Sequence, residues 1–268
     1  MPEPALTRYQ SKGVTLLGDE HVPQGVAFAF TERTGGVSRG CYASLNLGGA
    51  CGDDPSCVEE NRRRVLVAIG AEDHLSALVN PHQVHGDKVV VVRSSNADAV
   101  RAAQEAATSG ADAIVCTAPN VPVLLCFADC VPIVLVVPGG FAVVHSGWRG
   151  TIARIGAKAA RILAEETGVP VSQVLAYVGP HIGREDYEVS PELAARFSAE
   201  FGPGVIWGER NLDLGAAVLE ALVEAGVPKG SVACCDVSTA SATERFFSYR
   251  AEHGSCGRHG AMAVMVGE

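Results

Sequence analysis

Between Lys88 and His145 the chain carries five short apolar runs in close succession, and this stretch constrains the fold more than any other feature. The runs are KVVVVR (88–93), AIVCT (113–117), VPVLLCF (121–127), IVLVV (133–137) and FAVVH (141–145). Each is short, rich in β-branched residues and bounded by Gly, Pro or Asp, the pattern of strands buried on both faces. Residues 121–144 together are long enough to span a bilayer. However, Pro122, Asp129, Pro132, Pro138 and the Gly139-Gly140 pair cut the stretch into strand-sized pieces.

Around this block, GVAFAF (25–30) reads as a further strand that feeds a Gly-rich loop, TERTGGVSRGCYASLNLGG. A helix is expected from Asp54 as N-cap, with Pro55 in its first turn, to about Ile69. The Ala-rich segment 94–110 can carry a short helix between two strands. Another helix is expected from about Thr151 to Glu166, with Ile152, Ile155, Ala159, Ile162 and Leu163 on its apolar face, ending at Gly168 and Pro170. Strands at 174–178, 232–235 and 261–266 and helices at 191–201 and 214–225 complete the pattern. Strands in a row followed by helix–strand alternation predict an α/β (α+β) fold. It would be one domain over 1–268, with mixed sheets layered with helices and residues 1–24 as an N-terminal lead-in.

Composition narrows the function classes. Lys+Arg 21 against Asp+Glu 30 gives a net charge of −9, a poor electrostatic match for nucleic acid or an anionic membrane, so neither is expected as a partner. The nine cysteines show no CxxC pair, and the N-terminus shows no secretory pattern, so reduced thiols and a cytoplasmic location are expected. Oligomeric state is not encoded in any of these features.

Three segments place metal-binding side chains at expected strand ends: PHQVHG (81–86), ADCVP (128–132) and VHSGWRG (144–150). One Cys and two His from separate strand ends suit a zinc site that keeps one position open. The spacing alone equally fits a buried thiol at Cys130, a hydrogen-bonded histidine at His145 and loop histidines at His82 and His85.

ADAIVCTAPNVPVLLCFADCVPIVLVV, AVVHSGWRG and QVHG, supported in order by TERTGGVS, YASLNLG, ENRRR, VGPHIG, YEV and FFSYR, resemble the YfiH/laccase-domain family. Its members are variously called polyphenol oxidase, purine nucleoside phosphorylase or peptidoglycan editing factor. The resemblance runs from about Phe28 to the C-terminus. It implies metal ligands at His85, Cys130 and His145, with zinc as the cofactor and copper ranked second. It also implies phosphorolysis of adenosine, inosine, guanosine and methylthioadenosine, some adenosine deamination, and purine nucleosides and phosphate as small-molecule partners. The chain departs from the family at Arg184-Glu185-Asp186, where a Pro-Cys-Cys run is common, at Ser238 in place of a cysteine, and at Ala251 in place of an arginine.

Cleaving an N-glycosidic bond builds positive charge on the ribose and asks for a cationic phosphate cradle, a ribose grip and an acid near the base. Arg149 and Arg33 are the phosphate candidates, Asn46 the ribose candidate, His181 a proton donor and Asp129 the carboxylate nearest the expected metal. Of Arg62, Arg63 and Arg64, at most one is expected to reach the site, because they lie on different helix faces.

Three rival readings stand beside this one. A copper-dependent polyphenol oxidase of the multicopper type needs about four coppers and roughly ten histidines, often in HxH pairs; the chain has eight and no such pair. A metal-free hydrolase would use Cys130 as nucleophile and His145 as base to edit UDP-muramyl peptidoglycan precursors. A non-catalytic binding module ranks last, because it gives the Cys/His cluster no task.

Overall fold

The computed structural model describes residues 3–266. In chain order the strands and helices are β1 (Thr7–Ser11), β2 (Val14–Gly18), β3 (Val26–Thr31), α1 (Pro55–Ala68), β4 (Val89–Val92), α2 (Ala97–Thr108), β5 (Ala113–Cys116), β6 (Val123–Phe127), β7 (Val131–Val137), β8 (Gly140–Ser146), α3 (Trp148–Ile152), α4 (Ile155–Thr167), β9 (Leu175–Val178), α5 (Pro191–Phe201), β10 (Ile206–Trp207), β11 (Asn211–Leu212), α6 (Leu214–Glu224), β12 (Val232–Cys234) and β13 (His259–Met265).

Two sheets form the frame. One is antiparallel, in the order β1-β2-β3-β13-β6. The other is mixed, in the order β12-β9-β7-β8-β5-β4, with the two edge pairs parallel and the interior antiparallel. Strand alternation sorts the side chains into three apolar layers. Phe28, Phe30, Leu125 and Phe127 of the first sheet meet Val134, Val136, Phe141 and Tyr177 of the second between the sheets. The opposite face of the mixed sheet, with Ile133, Leu135 and Val144, packs against α4, α5 and α6. The outer face of the antiparallel sheet, with Leu16, Met262 and Val264, packs against Val65 and Leu66 of α1. Both faces of β7 and β8 are therefore covered, which is why their sequences read as unbroken apolar runs.

The expected mixed, helix-layered architecture is present, with local differences that include the short β10–β11 pair. Residues 7–18 of the expected lead-in form a hairpin, closed by Lys12 and Gly13, both at positive φ (50° and 84°) as a two-residue turn requires. The single helix expected over 151–166 is two helices. Arg154 adopts a left-handed conformation (φ 54°) between α3 and α4, and its guanidinium is held by Glu200 and Glu224. The segment 94–110 does carry a helix, α2, with the Asn96 side chain accepting from Ala99 N at 2.8 Å.

One buried side chain fastens the long loop after β3. Asn61 of α1 donates from Nδ2 to Ser38 Oγ (2.8 Å), Ser44 O (3.2 Å) and Asn46 O (2.9 Å), and its Oδ1 accepts from Val37 N (2.8 Å). Removing that amide strands several buried polar groups. Asn61→Ala is expected to lower unfolding free energy by roughly 2–4 kcal/mol in urea titration; a loss below about 0.5 kcal/mol would show that the loop is held by other means.

Candidate metal centre

Strand register brings the candidate ligands together. β5 pairs with β8 so that Ala113 faces Val144, which sets Asp112 beside His145. β7 pairs with β8 so that Val131 faces Ser146, which sets Cys130 at the same end. The loop carrying His85 enters β4, the parallel neighbour of β5, and Asp112 N donates to Lys88 O at 3.1 Å. One ligand atom from each of His85, Cys130 and His145 lies within 4.8 Å of the other two. The two imidazoles are 4.9 Å apart, nearly perpendicular. Gly147 adjoins them closely: a Cβ there would stand 3.1 Å from both the Cys130 sulfur and the His85 ring.

The loop is fastened at two points. Gln83 Nε2 donates to Cys126 O and its Oε1 accepts from Cys126 N, both at 2.8 Å. The Asp112 carboxylate accepts from Val84 N (3.2 Å), His85 N (3.0 Å) and Gly86 N (2.7 Å), and it lies 2.8 Å from His145 Nδ1. His85 itself sits at φ 58°, a conformation that side-chain-bearing residues adopt at a cost.

Burial penalises the Cys130 thiolate, yet His145 and His85 outweigh it and bring the thiol down to about 6. Burial also disfavours a charged His145, but the Cys130 thiolate and Asp112 hold its pKa up at about 9. Asp112 is buried, which raises its pKa; its bonds to His145 and to the loop amides reverse this and hold it below the usual carboxylate range. The shifts run in the direction of a thiolate and an imidazolium beside a carboxylate in the metal-free centre.

The centre forms part of the wall of a cavity of about 820 Å³, a size suited to a small organic ligand. Arg62, Arg250, Arg258, Asn80, His82, Tyr187, Tyr249 and Asp129 also line it. A larger, more open groove of about 910 Å³ adjoins it and shares Gly49, Arg62, Asn80 and Thr108. The three-donor cluster, found once among the described residues, lies in the wall of the smaller cavity.

Of the other expected site residues, Asp129 lines the cavity, and Arg33, Asn46, Arg149 and His181 do not. Arg33 is not part of the cavity lining. Its guanidinium bonds Ala43 O (3.0 Å), Thr243 O (2.7 Å) and Glu252 (3.0 Å) and stacks on Phe247. Asn46 is fully buried, tying Gly48, Asp53 and Arg258 N together. Arg149 is exposed within α3, over the Trp148 ring. His181 packs outside the cavity, with Nδ1 2.8 Å from Gly179 O, and burial lowers its pKa. Asp129 does line the cavity, but its oxygens accept from Thr239 Oγ1 and Arg250 N, both at 2.7 Å. Of the three adjacent arginines, Arg62 reaches the cavity, while Arg63 and Arg64 pair with Glu60.

Arg250, Arg258, Tyr187, Tyr249, Gln83 and Asp112 were not singled out from the sequence. All but Arg258 lie inside motifs that carry the resemblance, and Asp112 had a further signal: a lone carboxylate in an apolar run. At the departures from the family, Ser238 Oγ donates to Asp186 at 2.5 Å and accepts from Gly183 N at 2.9 Å. Positions 186 and 238, both departures from the family pattern, are therefore in contact.

A family profile described as multi-copper polyphenol oxidoreductase laccase matches residues 27–266, and the chain belongs to that family. Among its relatives, a Deinococcus radiodurans protein named purine nucleoside phosphorylase is 39% identical over 240 residues, 87% of each chain. A protein named adenosine deaminase RL5, from an unknown prokaryotic organism, is 35% identical over 239 residues, covering 83% of this chain and 87% of the relative. The crystal structure of YlmD from Geobacillus stearothermophilus superposes with a TM-score of 0.85 at 28% identity, covering 99% of this chain and 100% of that one. No helix of the described residues is long and apolar enough to cross a membrane.

Ligation requires a deprotonated sulfur and a neutral imidazole, so binding must expel the His145 proton. Zinc affinity of the metal-free protein is expected to rise about tenfold per pH unit between about 6 and about 9 and to level off above that. Competition with a chromophoric chelator measures this; a flat profile across that window would contradict the charge assignment.

Proposed function

We propose that this chain is a zinc-dependent purine nucleoside phosphorylase acting on adenosine, inosine, guanosine and methylthioadenosine, with adenosine deaminase as a side activity. The observation that carries the reading is the convergence of His85, Cys130 and His145 in the wall of a nucleoside-sized cavity lined by three arginines. The donor set fits a borderline-soft divalent ion, since one sulfur and two imidazole nitrogens leave room for an exogenous ligand. His85, Cys130 and His145 would hold the ion, which supplies Lewis-acid chemistry when bound. The family's described copper chemistry would need further copper ligands, and the described residues contain no second three-donor cluster.

The chain's own residues serve the rest of the reaction. In phosphorolysis a phosphate oxygen bonds to C1′ of the ribose, the C1′–N9 bond breaks, and its electron pair leaves on the purine, which takes a proton. Arg62 anchors Nε and Nη2 to Leu47 O (3.0 and 2.8 Å) and Nη2 to Asn80 Oδ1 (2.8 Å), leaving Nη1 for an anion. Arg258 is braced through Nη1 on Cys256 O (2.9 Å) and Gly257 O (2.8 Å). Such braced, planar guanidinium groups bind phosphate with little loss of side-chain freedom. They replace Arg33 and Arg149 as the phosphate cradle in this reading. Tyr187 and Tyr249, each with an arginine (Arg250 and Arg258) over its ring, line the same cavity and would supply aromatic contact to a purine.

One observation favours a second reading. Without metal, Cys130 is a low-pKa thiol beside His145, whose far nitrogen rests on Asp112. That is the arrangement of a Cys–His hydrolase, the class that would edit UDP-muramyl precursors. Such an enzyme keeps its activity after chelation.

The decisive test is a product assay on adenosine with and without phosphate. Adenine and ribose 1-phosphate should form only with phosphate, while inosine can form in its absence. Chelation and the folded Cys130→Ala variant should each cut adenine release by at least about a hundredfold. Full turnover by Cys130→Ala, or adenine release independent of phosphate, would overturn the assignment.

A further inference from the structure

We propose that Asp112 is the positioning residue of this centre: a single carboxylate that fixes which nitrogen of His145 faces the metal and, through three backbone amides, holds His85 in place. The inference rests on the metal-site reading above and adds a device that the three ligands do not reveal by themselves.

The Asp112 side chain is fully buried. A buried carboxylate is unfavourable unless its lone pairs are occupied. Here four N–H groups surround it: His145 Nδ1 at 2.8 Å, His85 N at 3.0 Å, Val84 N at 3.2 Å and Gly86 N at 2.7 Å. None of these bonds serves the sheet. The strand pairing at this point is made by the main chain, with His145 N donating to Asp112 O at 2.7 Å, and an apolar side chain at 112 would leave it intact. Ala111 and Ala113 on either side are buried and apolar. The sequence thus places a charge where backbone pairing requires none, and that charge reaches both histidine ligands.

The chemical consequence is specific. A carboxylate only accepts, so with the Nε2 lone pair given to a metal the neutral His145 ring carries its hydrogen on Nδ1, toward Asp112. The same group neutralises the three consecutive amides of a loop whose middle residue, His85, is held at φ 58°. A carboxylate behind a ligating histidine is a general way to raise metal affinity; here one carboxylate serves two ligands.

Asp112→Asn is the test, because the amide keeps the shape but can donate to Nδ1 and so favour the opposite tautomer. Zinc affinity of the metal-free protein should fall by roughly 10–100-fold or more. In ¹⁵N-histidine NMR of the metal-free protein at pH 10, recorded in a Cys130→Ala background so that no thiolate competes for the ring hydrogen, His145 should change from Nδ1–H with Asp112 in place to Nε2–H with Asp112→Asn. A merely structural role would lower the melting temperature without moving the tautomer. A second measurement needs no variant: in wild-type protein the Val84, His85 and Gly86 amides should resist hydrogen exchange although Val84 and His85 are exposed residues. Wild-type zinc affinity and an unchanged tautomer in the folded variant, or fast exchange of all three amides in the wild type, would overturn the proposal. Failure of the wild type itself to bind zinc would instead remove the metal reading beneath it.

Discussion

The placement of β8 between β5 and β7 is the constraint on which the site depends. Three chain segments, separated by up to sixty residues, meet because backbone hydrogen bonds fix their register at one end of this strand triplet. Both faces of β7 and β8 are buried, so a one-residue slip would turn apolar side chains away from the layers they fill. The core therefore fixes the geometry of the centre, and the loops only have to deliver His85. Gln83 and the main chain of Cys126 do so on one side, and Asp112 on the other.

Electrostatics then determines what this geometry can hold. The Cys130 thiolate and the Asp112 carboxylate flank the His145 imidazolium, two negative charges against one positive. The arrangement is prepared for a cation, since a divalent ion replaces the positive charge that the His145 proton supplies. The same charges, without an ion, describe an activated thiol. The two functional readings thus share one set of side chains and differ in whether a proton or a metal completes it.

Much of this was legible in the sequence. Strands covered on both faces appear as continuous β-branched runs, and β5, β6, β7, β8 and β9 fall within two residues of where those runs predict them. The β1–β2 hairpin was not seen, because β1 is a polar, exposed edge strand and only the Lys12-Gly13 turn marks it. The break at Arg154 coincides with ion pairs to Glu200 and Glu224, distant residues that no local propensity records. The arginines show the limit most clearly. Arg33 and Arg149 adjoin Gly-rich turns in the sequence, yet Arg33 is spent on carbonyls and Glu252, and Arg149 lies over Trp148 outside the cavity lining. Arg258 reaches the cavity from a distant segment, its amide held by Asn46, 212 residues earlier. Asp112 lies inside the motif block, but its role depends on partners 26–33 residues away.

The central claim is that one sulfur and two imidazole nitrogens share a single ion. X-ray absorption at the zinc edge of the purified protein tests it most directly. A shell with one sulfur at ~2.3 Å and two nitrogens at ~2.0–2.1 Å, completed by an exchangeable light atom, is the predicted result. A shell of nitrogen and oxygen alone, or one containing several sulfurs, would contradict it.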